Sequence, residues 1–196
     1  MSEFLKKRFR SVAIYTHNKP QKAAEETVFL KKIIQYLAEK GIKTIHGDVN
    51  TQSLLSGKIE LVKDTAAYDL KIGIGGDGIL LKMVRTLHKK DGLLLGINFG
   101  TLGFLSELTP ENAFEGLDKI FRGKYEVDVR MLLKAFVWRK KKKEDKASYK
   151  VHRGYALNEV SFGHGGLSRL TNYNVTSDRR KLSTYRSDGL IFATPT

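Results

Sequence analysis

The spacing of apolar residues changes near Gly123, and this change constrains the fold more than any other feature of the chain. Upstream, short apolar runs alternate with segments whose apolar residues recur every three or four positions, which is typical of strands alternating with amphipathic helices. Downstream, apolar and polar residues alternate with a period of two, as in residues 125–131, 133–137 and 171–175, which predicts strands. We therefore predict an α/β domain over residues 1–124 and a β-rich domain over residues 125–196.

Local signals place individual elements. The apolar residues between Leu30 and Leu37 fall on one helix face, and Gly41 predicts the end of that helix. Another helix is predicted to begin at Thr109 as its cap and to end at Gly123, whereas residues 47–64 give no clear pattern. The runs that predict strands of a parallel, helix-covered sheet are residues 12–15, 42–46, 70–74 and 93–97.

Composition excludes several classes of protein. The 196 residues are 41% hydrophobic and include 10 Phe and 8 Tyr, which is enough for a buried core and argues against disorder. There is no cysteine, so disulfides and thiolate metal sites are excluded. The longest apolar run is far shorter than the ~20 residues of a membrane-spanning helix, and no apolar segment follows the basic N-terminus as a secretory signal would require. We expect a cytoplasmic protein.

The net charge of +14 suggests an anionic partner, and it is concentrated between Arg122 and Arg153. The centre of this stretch, Arg139 to Lys146, has the pattern of a solvated hairpin loop, with contact to a polyanion as the alternative. No aromatic residue is interleaved within the lysine run, which argues against single-stranded nucleic acid. We therefore expect neither a nucleic-acid nor a membrane partner.

The strongest local signal for chemistry is Gly75-Gly76-Asp77-Gly78, between an apolar strand and an amphipathic helix. Glycines let the backbone approach a phosphate closely, and a helix N-terminus supplies free N–H groups. An aspartate in such a loop fits the binding of Mg²⁺ or the removal of a proton from an attacking hydroxyl, as phosphoryl transfer requires. The alternative is a glycine turn whose aspartate only caps the helix.

The same loop also satisfies the dinucleotide fingerprint G-x-G-x-x-G through Gly73, Gly75 and Gly78. In that fingerprint an acidic residue is expected about 20 positions later, and Asn98 stands there instead. The loop also does not follow the first strand of the chain. We therefore reject a dehydrogenase.

Three further segments stand out. Residues 98–105 place two glycines among large apolar side chains directly after a strand, which suggests a loop folded closely against a flat group or a tight turn. Asn158-Glu159 is an unusual pair for a strand and could bind ribose hydroxyls. Arg186 to Ile191 contains Ser-Asp-Gly, which in isolation predicts a hairpin turn.

Together, these four segments resemble the NAD kinase family. In that family a G-G-D-G loop, an N-x-G-x-L-G-F segment, an N-E pair and an R-x-D-G-L strand occur in this order, followed by a T-P-[ST]-G-S-T-A-Y segment whose start resembles residues 193–196. The resemblance spans about residues 10–196. It implies a Rossmann-like N-terminal lobe, followed by an all-β domain that is incomplete here.

The resemblance implies that the chain phosphorylates the 2′-hydroxyl of the adenosine ribose of NAD, with ATP as donor and Mg²⁺ or another divalent cation. Asp77 would be the catalytic base, Phe104 would pack against adenine, and the family's dimers or tetramers imply a homo-oligomer. No protein ligand to the metal is assigned beyond Asp77. The implied binding residues for NAD and ATP are Gly75, Gly76, Gly78, Lys82, Asn98, Thr101, Leu102, Gly103, Phe104, Asn158, Glu159, Arg169, Arg186, Asp188 and Thr196.

The chain departs from the family pattern in two places. Ile79 follows the G-G-D-G loop where Thr or Ser is usual, and the chain stops at Thr196, before the rest of the family's β domain. We therefore expect a truncated chain whose strand over residues 190–193 lies on an unfinished sheet edge. Two alternative functions stay open: a non-catalytic NAD or NADP sensor or fragment, and a diacylglycerol-type lipid kinase that shares the G-G-D-G loop.

Overall fold

The computed structural model describes residues 9–17, 23–63, 67–87, 92–99, 103–141, 148–163 and 170–195. The chain divides into two compact units, residues 1–128 and 129–196. This division lies close to the change of period on which the predicted boundary between residues 124 and 125 rests. Among the described residues, no helix is long and apolar enough to cross a bilayer.

The first unit is a five-stranded parallel sheet with helices on both faces, in the strand order β3-β2-β1-β4-β5. The predicted Rossmann-like architecture is confirmed. Its elements are β1 (Ser11–Thr16), α1 (Ala23–Glu39), β2 (Thr44–Gly47), α2 (Val49–Leu54), β3 (Glu60–Leu61), β4 (Leu70–Gly75), α3 (Asp77–Leu87), β5 (Leu93–Asn98) and α4 (Ala113–Phe121).

The core has two layers because alternate residues of each central strand point to opposite faces of the sheet. On one face, Ile14 and Ile72 pack with α1 and α4 in a cluster that includes Leu30 and Leu117. On the other face, Tyr15 packs with Ile79, Leu80 and Met83 of α3. The strands β1 and β4 are therefore buried on both sides, as strands in the middle of a parallel sheet must be.

Helix termini follow the glycine signals of the sequence. Gly41 and Gly123 adopt positive φ angles of 77° and 73°, and each lies just beyond a helix. After α4, Lys124 donates to the carbonyl of Lys119 and Gly123 to that of Ile120, which satisfies carbonyls of the last turn. Both predicted helix ends are thus confirmed.

The predicted start of α4 is wrong by a few residues. The N-cap is Asn112, not Thr109, and the helix begins at Ala113. Asn112 does not cap the helix with its side chain, because its Oδ1 accepts from the backbone N–H of Thr109 at 2.7 Å. The residues before the helix therefore form a turn.

The second unit consists of strands in three antiparallel pairs: β6 with β7, β8 with β11, and β9 with β10. A tight turn joins β9 to β10, with Asp178 and Arg179 at positive φ. The strands are β6 (Leu133–Arg139), β7 (Tyr149–Ala156), β8 (Glu159–Gly163), β9 (Thr171–Ser177), β10 (Arg180–Ser187) and β11 (Gly189–Ala193).

Two predictions for the β-rich region are corrected. Residues 125–131 alternate in polarity but form no strand, because they have no ladder partner among the described residues. Ser187-Asp188-Gly189 is not a hairpin turn, since β10 pairs with β9 whereas β11 pairs with β8. Asp188 instead separates two strands that belong to different pairs.

Candidate active site

The loop that carries Asp77 lies at the carboxyl edge of the parallel sheet. Because β2 and β3 lie on one side of β1 and β4 and β5 on the other, the chain changes direction between β1 and β4, which is where ligands bind in open α/β sheets. Gly75 ends β4 with a φ of 144°, which requires glycine. A Cβ atom on Gly76 or Gly78 would meet nothing within 4 Å, so the backbone beside Asp77 is open to a ligand.

The carboxylate of Asp77 is held by the segment that follows β5. Its Oδ2 accepts from the backbone N–H groups of Phe104 (2.8 Å) and Leu105 (3.2 Å), and its Oδ1 accepts from the Ser106 hydroxyl (2.9 Å). A Cβ atom on Gly103 would overlap this carboxylate, so only glycine fits there. The structure thus brings Asp77, Gly103 and Phe104 together, whereas Thr101 and Leu102 lie outside the described residues.

Ser106 is a site residue that the sequence analysis missed. It is buried, and its position in the sequence between Leu105 and Glu107 gives no signal that it belongs to the site. Its hydroxyl donates to Asp77 and leaves Oδ1 with one further lone pair, since no other described group bonds to that oxygen.

A second carboxylate, Asp48, joins the ends of β1 and β2 to α3. Its Oδ1 accepts from the backbone N–H and hydroxyl of Thr51 at 2.9 and 2.8 Å, and more distantly from the backbone N–H of Thr16. Its Oδ2 lies 3.4 Å from the ammonium nitrogen of Lys82. Lys82, which the sequence analysis assigned to the binding pocket, is therefore oriented by a residue that the analysis did not single out.

Asn98 is buried at the end of β5, directly opposite Gly75 of β4 in the sheet register. The backbone N–H of Phe99 donates to the carbonyl of Gly75 at 3.2 Å, which extends the contact between the two strand ends. By contrast, the side chain of Phe104 is 99% exposed. An aromatic ring left in water beside Asp77 is available for stacking on a planar ligand.

A cavity of about 650 Å³ lies between α1 and the segments that follow β5. Asn98, Phe29 and Phe99 line it, together with the charged side chains of Lys32 and Glu111. Its size suits a small organic ligand.

Glu26 is a buried carboxyl group on the side of α1 that faces the core. It is 4% exposed, and its Oε2 has no hydrogen-bond partner among the described residues. Burial raises the pKa of Glu26 above its usual value of 4.5, and the neighbouring His17 opposes that rise. No pattern in the sequence separates this glutamate from the exposed Glu25 beside it.

In the second unit, Asn158 and Glu159 lie at the junction of β7 and β8. The carbonyl of Asn158 accepts from the backbone N–H of Thr194 at 2.8 Å and from its hydroxyl at 3.1 Å. Glu159 is exposed and pairs with Ala193 at the end of β11. The N-E pair and Thr194 are thus neighbours, while Thr196 lies outside the described residues.

Two further predicted residues, Arg186 and Asp188, are exposed in the second unit. Arg186 lies on β10 opposite Asn172, and Asp188 follows at the break before β11. A Cβ atom on Gly189 would come within 2.5 Å of the Phe162 carbonyl oxygen, so this position also favours glycine. Arg169 lies outside the described residues.

The described residues contain no group of three acidic, histidine or cysteine side chains that could hold a metal ion. Asp77 offers a single half-exposed carboxylate, and Asp48 is engaged by Lys82. This donor set does not form an all-protein cage. It fits a Mg²⁺ ion bound mainly by nucleotide phosphates with one carboxylate beside it, which is how proteins usually bind magnesium.

Comparison with known proteins decides the family. The model of the ATP-NAD kinase N-terminal domain matches residues 5–125. The chain belongs to this family. Its G-G-D-G loop and the segment that holds Asp77 both lie within the matched residues.

Curated relatives and a solved structure extend the match. The chain is 38% identical over 128 residues to the NAD kinase of Syntrophotalea carbinolica, covering 65% of this chain and 42% of the relative. It is 35% identical over 192 residues to the NAD kinase of a Marinomonas species, covering 96% and 62%. The chain thus spans about two to three fifths of the length of these NAD kinases.

Yeast NADH kinase, solved in complex with NADH, has a similar fold. The TM-score is 0.77 at 19% identity, and the match covers 97% of this chain and 59% of the yeast chain. At this identity the likeness establishes the fold of the chain, an α/β part followed by a β-rich part.

Proposed function

We propose that the chain is an NAD kinase that transfers the γ-phosphoryl group of ATP to the 2′-hydroxyl of the adenosine ribose of NAD. The observation that carries this proposal is the position of Asp77. Its carboxylate lies at the N-terminus of α3, beside backbone with open space at Gly76 and Gly78. Membership of the ATP-NAD kinase family supports the choice of both substrates.

In the proposed mechanism, Asp77 is the general base. Its Oδ2 is saturated by two backbone amides, which fix the orientation of the carboxylate, whereas Oδ1 retains a lone pair. In this mechanism, Oδ1 of Asp77 accepts the proton that the 2′-hydroxyl of the ribose gives up. The ribose oxygen forms its bond to the γ-phosphorus as the bond from that phosphorus to the bridging oxygen of ATP breaks, and ADP leaves.

Other residues of the site bind and orient. The N–H groups at the start of α3 and the ammonium of Lys82 would stabilise negative charge on the phosphates. The exposed ring of Phe104 would stack on the adenine, and Asn158 and Glu159 would bind ribose hydroxyls and the nicotinamide half of NAD. Magnesium, when bound with the nucleotide, would neutralise phosphate charge beside Asp77.

The test is the formation of NADP⁺ from NAD⁺, ATP and Mg²⁺, detected with an NADP-specific dehydrogenase. We expect turnover by the wild type, and its loss in Asp77→Asn, which keeps the shape of the side chain but removes the base. Binding of NAD by the variant should stay within a few fold. Loss of binding instead would make Asp77 a structural residue, and NAD-dependent thermal stabilisation without turnover in the wild type would favour a sensor or fragment.

The assembly and location of the chain are part of the same proposal. A homodimer or homotetramer is checked by light scattering of the purified chain, and a cytoplasmic location by cell fractionation. Flotation with liposomes of anionic lipid distinguishes the lipid-kinase alternative, because a chain that phosphorylates only soluble NAD has no need to bind them.

A further inference from the structure

The β6–β7 pair of the second unit exposes a face on which aromatic rings and cations are arranged in opposite pairs. In an antiparallel pair, two residues that lie directly opposite each other have their side chains on the same face of the sheet. The register of this pair shifts between Val137 and Trp138, and this shift places Lys150 opposite Trp138. Each cross-strand pair on this face joins one ring to one cation. The pairs are Lys134 with Tyr155, Phe136 with Arg153, and Trp138 with Lys150.

Two of the three rings of this ring–cation face, Phe136 and Trp138, are exposed to water, and lysines contact two of them, Phe136 and Tyr155. Phe136 is 41% exposed and Trp138 is 58% exposed. The ammonium of Lys134 lies 5.0 Å from the centre of the Phe136 ring and 5.8 Å from that of Tyr155, and the ammonium of Lys150 lies 5.6 Å from that of Phe136. These are cation–π distances, so the exposed cations already lie against the rings.

Every charged residue in the described part of the hairpin is basic. Its described residues, 133–141 and 148–156, contain no Asp or Glu. The opposite face carries the half-buried apolar residues Leu133, Ala135 and Val137 and is the side typical of a core. The ring–cation face is therefore the outward side, and its charge is complementary to an anion. The basic side chains of the described hairpin are Lys134, Arg139, Lys140, Lys141, Lys150 and Arg153.

We infer that the ring–cation face binds single-stranded nucleic acid, with bases stacked on its rings and phosphates paired with its cations. Proteins that bind single strands combine a basic surface with aromatic stacking platforms in this way. Along each strand, residues on one face are spaced by about 6.6–6.8 Å, so rings and cations recur at short regular intervals. An acidic polypeptide such as polyglutamate would pair with the cations but carries no aromatic bases to stack on the rings.

This inference departs from the prediction made on the lysine run alone. That run lacks aromatic residues, but the rings come from the flanking strands, and only the register places them between cations. The inference does not rest on the proposed kinase activity, since none of the residues of this face is assigned to that site.

The chain contains a single tryptophan, Trp138, so fluorescence excited at a wavelength that its eight tyrosines do not absorb reports on this face alone. We expect an oligothymidylate of about ten nucleotides, within the usual site size, to quench Trp138 in the full 196-residue chain at low salt. Polyglutamate should not quench it, because that polymer has charge without bases. Equal quenching by polyglutamate, or none by the oligonucleotide, would overturn the inference.

Matched variants separate stacking from charge. Phe136→Ala should weaken binding by about 5- to 150-fold, whereas Tyr185→Ala, which removes an exposed ring on β10, should leave it unchanged. Lys134→Gln with Lys150→Gln should reduce the slope of log K against log salt by about 1.4, and the exposed pair Lys31→Gln with Lys58→Gln should leave that slope unchanged. Circular dichroism of each variant checks that the strands persist.

Competition locates the oligonucleotide. Saturating NAD⁺ and Mg·ATP should leave the quenching of Trp138 unchanged, since no residue of the ring–cation face is assigned to the kinase site. If these nucleotides displace the oligonucleotide, it occupies the nucleotide site and the inference is wrong. Failure of the kinase assay would leave this result unaffected.

Discussion

The two units of the chain differ in how they use their apolar residues. In the first unit, helices cover both faces of a parallel sheet, and residues such as Ile72 and Leu117 have no exposed surface. In the second, strands are joined in pairs, and among its described residues only Leu157 and Thr194 are buried. A two-stranded pair buries little surface, so the first unit supplies most of the hydrophobic stabilisation while the second presents its side chains to the surroundings.

The largest expected effect on stability comes from replacing a buried isoleucine of the first unit by alanine, and the same replacement in the second unit is its comparison. Ile72→Ala empties a fully buried position in β4 and should lower the free energy of unfolding by about 2–5 kcal/mol. Ile191→Ala removes the same atoms from a side chain that is 72% exposed on β11, and should change it by less than about 0.5 kcal/mol. Urea denaturation measures both. A large loss for Ile191→Ala would mean that the faces of the second unit are covered in solution.

Glycine substitutions give a smaller contrast. A Cβ atom at Gly96 would come within 2.7 Å of Leu80 and 3.0 Å of the Ser106 hydroxyl, so Gly96→Ala should cost about 1–3 kcal/mol and lower kinase activity by displacing Ser106 from Asp77. At Gly154 the nearest atom is a histidine nitrogen at 3.5 Å, and Gly154→Ala should be neutral or slightly stabilising. Thermal melts and the coupled assay test the pair, and equal melting temperatures would argue that α3 does not pack as described.

Removing a tyrosine hydroxyl from each unit compares the contribution of a hydrogen bond to stability in the two units. Tyr36 of α1 donates to Asp118 of α4 at 2.7 Å, so Tyr36→Phe should cost about 1 kcal/mol. Tyr185→Phe, on the exposed strand β10, removes a hydroxyl with no hydrogen bond among the described residues and should cost nothing measurable. Chemical denaturation measures the free energy of unfolding of both variants. An equal loss in the two variants would contradict this prediction.

The smallest effect depends on pH. Burial raises the pKa of Glu26 in the folded chain, so folding favours the protonated form of its carboxyl group. This group therefore contributes its full stabilisation of the folded chain at a pH below its usual pKa of 4.5. That contribution is lost as the pH rises through the pKa of Glu26 in the folded chain. Glu26→Gln should therefore gain stability relative to the wild type as the pH is raised from 4.5 to 8. Glu25→Gln, on the exposed side of α1, is the control. A difference between Glu26→Gln and wild type that does not vary with pH would exclude this linkage.

Sequence patterns predicted the first unit better than the second, for a physical reason. A buried strand such as residues 70–74 and a helix ended by Gly41 are specified by nearby residues, and both were predicted correctly. The partner of β11 is not specified in this way, because the Ser-Asp-Gly segment has the composition of a hairpin while the ladder forms with β8. Alternation in residues 125–131 predicted a strand, but a strand also needs a partner for its backbone.

The candidate site shows the same limit. The motif around Asp77 was found because its residues are consecutive and their glycines are unusual. The contact of Asp48 with Lys82 joins residues 34 positions apart, and nothing near either residue in sequence indicates the other. The roles carried by Arg186 and Asp188 stay predictions, as does the binding of ribose by Asn158 and Glu159.

The bonds between Asp77 and the segment after β5 make the loop a reporter of the site. Phe104 is a surface residue, yet its backbone N–H is bound to a carboxylate 27 positions away. Exchange of that amide hydrogen with solvent deuterium should therefore be slowed, although the residue is exposed. The protection of two amides, at Phe104 and Leu105, then records whether Asp77 is held in place. This protection can be measured before any substrate has bound, and also in variants that have lost kinase activity.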